Sequence, residues 1–347
     1  MRTLRYEKMK QAVIAEVAPP EISPSQALGR TIVSNVSAGT EMAFYRGTAP
    51  QLNSRMLPNG LWEEAADNLT YPMSASDPGC WWMGYACVSE IVEVGAELAG
   101  KLKIGDIVFT PQGHKELQVV DENAIRVPDG MRPESASFKT LTEIAYNGFL
   151  DAKIKLMDDV VIFGMGTIGQ LLVRMCALAG ARVAAVDFID ERLAIASAGG
   201  AEYTINPSKT GVSAAESVLE AFGGKADAVI EVSGNSKALN EAVRCVKKDG
   251  QVTVLSFYQE PPVNFLMGRE FHHNRVVVRS SQIGGISPEI SHLMTKDTRA
   301  EKAMELLTKM DVAPLISHRC AFEEYPEVIR EISENPSKTL SVVIEYR

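Results

Sequence analysis

Past residue 155, short unbroken apolar runs take turns with stretches in which apolar residues recur every three or four positions. DVVIFG (159–164), ARVAAVD (181–187), AEYTIN (201–206), ADAVIEVSG (226–234) and QVTVLSF (251–257) predict strands. The first is apolar at every interior position rather than at alternate ones, which a strand covered on both faces requires. TIGQLLVRMCALAG (167–180), DERLAIASAGG (190–200) and SKALNEAVRCVKKDG (236–250) carry the helical period and end on glycine. Strand and helix alternating in this way predict an α/β fold with a doubly wound parallel sheet.

The first 150 residues read differently. TIVSNVSAG (31–39), ACVSEIVEVG (86–95), GDIVFT (105–110) and KELQVVDENAIRVP (115–128) are short strand-like runs broken by Gly, Pro and Asp. Residues 48–78 are polar, contain proline and show no period, so they predict a loop or lid. PESASFKTLTEIAYNGFL (133–150) predicts a helix, with Pro133 and Glu134 suited to its opening turn. At 347 residues the chain exceeds one ordinary core, and two domains are expected.

Composition narrows the partners. With 46% hydrophobic and 23% charged residues and a net charge of −9, the chain is globular and lacks the basic excess that nucleic acid or an anionic membrane attracts. No apolar stretch is long enough to span a bilayer, and MRTLRYEKMK has no apolar signal core; the expected location is the cytoplasm. Cys80, Cys87, Cys176, Cys245 and Cys320 form no C-x-x-C pair and read as free thiols. His272 and His273 are adjacent and in a strand point to opposite faces, so no metal site is expected.

The candidate chemistry is Gly164-Met165-Gly166-Thr167-Ile168-Gly169, directly after a strand and opening a helix. Gly164 permits a tight turn, Gly166 lets a pyrophosphate approach the backbone, and Gly169 allows close helix–strand packing. The helix N-terminus offers N–H donors and a positive dipole end. Asp187 ends the second strand, where a carboxylate grips an adenosine ribose hydroxyl and repels a 2′-phosphate. Phe188 follows it, and Arg192 lies in the next helix, so NAD is expected rather than NADP. Ser233 and Ser256, just past two later strands, are counted with this cofactor site.

A dinucleotide fold behind a β-rich first half resembles the medium-chain dehydrogenase/reductase superfamily. SAGTEMAFYRG (37–47), MGYACVSEIVEVG (83–95), KIGDIVF (103–109), the glycine fingerprint and VDFIDERLAIASAGGAEYTIN (186–206) carry the likeness. HHNRVVVRSSQIGGISPEI (272–290) looks most like the branch of bacteriochlorophyllide hydroxyethyl dehydrogenases. The resemblance implies a GroES-like catalytic domain from residues 1–150 and 290–347, a Rossmann domain from 151–289, and a homodimer with QVTVLSF and RVVVRSS as edge strands. Zinc members carry Cys-Gly-Thr-Asp and Gly-His-Glu where this chain has Ala38-Gly39-Thr40-Glu41 and Gly84-Tyr85-Ala86. The third ligand falls on Thr140, and TPQGHKELQVVD lacks the cysteines of a structural zinc lobe. None of these replacements ligates zinc well.

Without the metal, a general acid/base must handle the alcohol proton. Tyr85 occupies a ligand position, Thr40 matches the family's proton-relay hydroxyl, and Lys139 is placed to lower a tyrosine pKa; which of the three handles the proton stays open. Glu41 is read as a structural ion-pair partner. Trp62, Trp81, Trp82 and Thr140 are candidate substrate contacts, since indole faces suit sugar C–H faces or conjugated rings. The expected activity is zinc-independent, NAD-dependent interconversion of a bulky secondary alcohol (a sugar, polyol or tetrapyrrole-like alcohol) and its ketone. A zinc-free reductase of quinones or activated C=C bonds, and a non-catalytic NAD-binding homologue, are the alternatives.

Overall fold

Val160, Val161, Ile162 and Phe163 are buried in the strand Asp159–Phe163, which explains why the run has no polar alternation. In this computed structural model, which describes every residue except Trp81 and residues 260–264, the chain divides into two units. One is Met1–Thr140 with Ile316–Arg347, the other Leu141–Leu315.

The second unit holds a six-stranded parallel sheet in the order Tyr203–Ile205, Arg182–Val186, Asp159–Phe163, Ala226–Glu231, Val246–Val254, Val277–Ser280. The sequence order reverses beside Asp159–Phe163, the switch point of a doubly wound sheet. Thr167–Leu178 buries Leu171, Leu172 and Val173 completely, each contributing about 1.5–3 kcal/mol. The fold class is therefore as the pattern predicts. One detail is corrected: Gln251–Val254 is hydrogen-bonded on both sides, to Ala226–Glu231 and to Val277–Ser280, so QVTVLSF is interior and RVVVRSS alone is at the edge.

The first unit is built on a seven-stranded sheet in which Ala27–Val36 pairs with Cys87–Val94, Leu117–Val120 and the C-terminal strand Ser341–Glu345. A second sheet joins Gln11–Glu16, Arg2–Lys8 and Met73–Ser74. Two elements go beyond the sequence reading: a helix Thr40–Arg46 within SAGTEMAFYRG, and a small hairpin, Ser54–Met56 with Trp62–Glu64, inside the expected loop. The expected helix over 133–150 forms as two, Pro133–Ala136 and Lys139–Asp151.

The chain rejoins the first unit at Ile316 rather than near 290. The physical reason is Arg299, on the helix Lys296–Leu307 and only 1% exposed. Its guanidinium donates to Glu143 at 3.1 Å, to Asn147 at 2.6 Å, and to the carbonyls of Gly285 and Ile283 at 2.8 and 2.6 Å. A buried cation with this donor pattern ties its helix to Lys139–Asp151 and to the loop after Val277–Ser280.

Arg299→Ala leaves the Glu143 carboxylate buried without its cation and should destabilise the second unit by about 3–5 kcal/mol. Replacing both partners together by Met and Leu should recover most of that loss. A denaturant titration in which Arg299→Ala lies within about 1 kcal/mol of wild type would show that the clamp does not govern this unit.

Candidate active site

The dinucleotide loop follows Phe163. Gly164 has φ +98°, a region that favours glycine, and its N–H reaches the carbonyl of Val186 at 2.9 Å. A Cβ there would lie 2.8 Å from the Ser233 backbone, and one at Gly169 would strike the Gly164 carbonyl. Gly166 is different. It caps Thr167–Leu178 with an ordinary φ of −71°, and a Cβ on it would meet nothing within 4 Å. The protein itself does not need this glycine, so the space before the helix N-terminus fits a ligand that does, such as a phosphate.

Asp187 holds this loop. One carboxylate oxygen accepts from the Met165 N–H at 2.6 Å and the other from the Ile189 N–H at 2.9 Å. A carboxylate has about four acceptor positions, so ribose hydroxyls can still be accommodated. Phe188 is exposed, and its carbonyl accepts from Asn206. Arg192 lies in the helix Asp190–Ala198; burial lowers its pKa while the charge of Asp187 raises it. Ser256 ties two loops, accepting from the Gly234 N–H at 2.7 Å and donating to the Glu231 carbonyl at 3.4 Å. Ser233 bonds the Glu231 carboxylate through both its N–H and its hydroxyl. Glu231 is missing from the sequence reading; the signal available was a carboxylate directly after the apolar run Ala228-Val229-Ile230.

In the first unit, Tyr85 is buried and donates to Ser37 Oγ at 2.5 Å. Its phenol is pushed up to about 12, chiefly by burial and also by the charge of Glu41, against hydrogen bonds with Ser37 and Thr40. The expected lowering by Lys139 is thus corrected: the shift is upward, because desolvation of a phenolate outweighs those hydrogen bonds. Lys139 is itself nearly buried, with its ammonium 5.4 Å from the Phe109 ring centroid, a cation–π geometry. Thr140 Oγ1 donates to the Tyr85 carbonyl at 2.9 Å, fixing the backbone beneath the phenol.

Beside this lies a pair of which the sequence reading saw only half. Glu41 and His114 are both fully buried and 2.8 Å apart. The other Glu41 oxygen accepts from the Ser37 N–H at 2.6 Å, and His114 Nδ1 meets Ser34 Oγ at 2.8 Å. Ser34 Oγ in turn lies 3.0 Å from the Tyr346 hydroxyl. Gly84, at φ +106°, is required here, since a Cβ would fall 2.8 Å from the imidazole. No sequence spacing links positions 41 and 114.

These donors do not fit zinc. Ala38 carries no donor atom and is exposed, Thr140 and Tyr85 spend their hydroxyls on Tyr85 and Ser37, and both imidazole nitrogens are occupied. Among the described residues no group of three or more His, Cys, Asp or Glu side chains could hold a metal ion. Of the candidate substrate contacts, Trp82 stacks on Phe44 with ring centroids 5.3 Å apart. Trp62 is 52% exposed on the hairpin opposite Met56, and Trp81 lies outside the described residues.

Residues 167–298 match the family described as zinc-binding dehydrogenase. D-guloside 3-dehydrogenase of Escherichia coli K12 is 27% identical over 319 residues, covering 89% of each chain. The crystal structure of 2R,3R-butanediol dehydrogenase from Bacillus subtilis superposes with a TM-score of 0.79 at 19% identity, covering 99% of each chain. Among solved structures of this fold, one is bound to NADP and another is complexed with NADH.

Gly166→Ala separates fold from ligand. It should leave the unfolding free energy within about 1 kcal/mol yet weaken dinucleotide binding by about tenfold or more, because the new methyl enters the ligand's space. Calorimetric titration and thermal unfolding of the same preparation read both effects; unchanged affinity would remove the loop from the cofactor site.

Proposed function

We propose that this chain, whose residues 167–298 match the zinc-binding dehydrogenase family, is a member of the medium-chain dehydrogenase/reductase superfamily that works without zinc. It interconverts a polyol- or sugar-type secondary alcohol and its ketone with NAD(H). Alcohol–ketone oxidoreduction follows from the family, whose relatives include a guloside and a butanediol dehydrogenase. The metal-free form of that chemistry rests on one observation, the buried Tyr85 hydroxyl bonded to Ser37 where the family's ligand motif stands.

A bound nicotinamide supplies a hydride donor or acceptor; everything else falls to side chains. Tyr85 is protonated at neutral pH, since its phenol is pushed up to about 12, so it can donate to the oxygen of a carbonyl substrate. Hydride arrival makes that oxygen basic, and the tyrosine proton neutralises the developing alkoxide. Ser37 and Thr40, hydrogen-bonded to the phenol, can turn their hydroxyls to donate to the transient phenolate and steady it until a proton returns from solvent. The Glu41–His114 pair fixes the Ser37 backbone. In the oxidative direction the same chain runs backwards, and the high phenol pKa makes proton removal the harder step at neutral pH.

NAD is favoured because Asp187 places a negative charge at the end of the second strand, where a 2′-phosphate would be repelled. Arg192, whose ionisation senses Asp187, is a cation that could give an opposite preference. Trp62 and Trp82 are kept as substrate contacts on the chemistry of indole faces alone.

Tyr85→Phe should lower kcat by about 10²–10⁴-fold with cofactor affinity unchanged. In wild type, oxidation should rise with pH into the alkaline range while reduction stays flat through neutrality, because the acid form persists. A screen of sugars, polyols and enones with NAD and NADP, followed at the reduced-cofactor absorbance, supplies the substrate. Wild-type turnover by Tyr85→Phe would reduce the tyrosine to a space-filling ring, and better turnover with NADP would overturn the reading of Asp187.

A further inference from the structure

Glu231 ends the strand Ala226–Glu231 and is fully buried, yet the mechanism above does not use it. That strand and Asp159–Phe163 flank the point at which the sheet order reverses, and a dinucleotide lies across that crevice at the carboxyl ends of the strands. Asp187, on the side of Arg182–Val186, takes the adenosine half. The nicotinamide half then falls on the side of Glu231.

The Glu231 carboxylate is held rigidly. Oε1 accepts from the Ser233 N–H at 2.7 Å and from the Ser233 hydroxyl, and Oε2 accepts from the Tyr258 hydroxyl at 2.5 Å. Three donors converging on two oxygens are the pattern of an ionised carboxylate, which only accepts. Burial and the neighbouring Glu231 charge accordingly hold the Tyr258 phenol well above its usual value. Among the described residues the hydrogen-bond partners of the Glu231 carboxylate are neutral donors, one backbone N–H and two hydroxyls. The network also abuts the nucleotide loop: the Val232 N–H bonds the Phe163 carbonyl at 2.9 Å, and a Cβ on Gly164 would lie 2.8 Å from Ser233. Among the described residues, then, this carboxylate is met by neutral donors alone, at a fixed place beside the crevice.

We propose that Glu231 sets the redox preference of cofactor binding, its fixed charge favouring the oxidised nicotinamide, a pyridinium cation, over the neutral reduced ring. The inference rests on the dinucleotide reading above. Two unit charges roughly 10 Å apart at an effective dielectric constant of about 20 change a binding ratio by about tenfold. Neither the hydride chemistry nor Tyr85 is needed for this effect, so binding alone can test it.

The experiment is calorimetric titration of NAD⁺ and NADH into wild type, Glu231→Gln and Tyr258→Phe. Glu231→Gln should lose about tenfold in affinity for NAD⁺ relative to NADH. Loss of both affinities by the same factor, or no change in either, overturns the proposal while leaving the cofactor reading intact. Should Glu231→Gln not fold, Tyr258→Phe decides. Removing one shielding donor leaves the charge in place and should shift the ratio further towards NAD⁺; an unchanged or opposite ratio overturns the proposal. If wild type binds neither form, the cofactor reading fails and takes this inference with it.

Discussion

A carboxylate withdrawn from water has to be met by donors, or its burial costs several kcal/mol, and three glutamates of this chain impose that condition on their surroundings. Glu143 is met by Arg299, Glu41 by His114 and the Ser37 N–H, and Glu231 by Ser233 and Tyr258. Each pairing organises a separate part of the molecule. The first ties the helix Lys296–Leu307 into the second unit. The second orders the surroundings of Tyr85, and the third joins two loops at the carboxyl edge of the parallel sheet. The acids are organisers because they cannot be left unsatisfied.

The second pairing bears most on chemistry. Beside Tyr85, the hydroxyls of Ser37 and Thr40 stand next to a buried acid–imidazole pair, Glu41 and His114. Burial raises the Tyr85 phenol to about 12, which makes it a poor base and a dependable proton donor at neutral pH. The hydroxyls of Ser37 and Thr40 temper that shift without reversing it. Under the proposed function such a pocket suits carbonyl reduction better than alcohol oxidation, whereas the charge proposed for Glu231 suits the oxidised cofactor. The two effects act on different steps, proton transfer and cofactor binding.

Much of this was legible in the sequence where local pattern and tertiary demand agree. The parallel sheet followed from unbroken β-branched runs, and the nucleotide loop from glycines whose need is stereochemical: Gly164 for its positive φ and Gly169 for its contact with the Gly164 carbonyl. What stayed hidden is long-range. His114 reaches Glu41 across 73 positions of chain, and Arg299 reaches Glu143 across 156; no periodicity encodes such meetings. The direction of the Tyr85 shift was misjudged for the same reason. The resemblance, which puts Thr140 at a ligand position with Lys139 next to it, suggests a lysine beside the phenol, while burial, a property of the whole fold, dominates. The helix Thr40–Arg46 escaped notice because it is short and carries an aromatic pair, Phe44 and Tyr45, that also suits a strand.

The central claim, proton handling by side chains in place of a metal, is tested most directly by elemental analysis of the purified wild-type protein paired with turnover after exhaustive chelation. The account predicts no stoichiometric zinc and an unchanged rate once chelator is removed. One tightly held zinc per chain, with activity lost on its removal and restored by zinc alone, would contradict it.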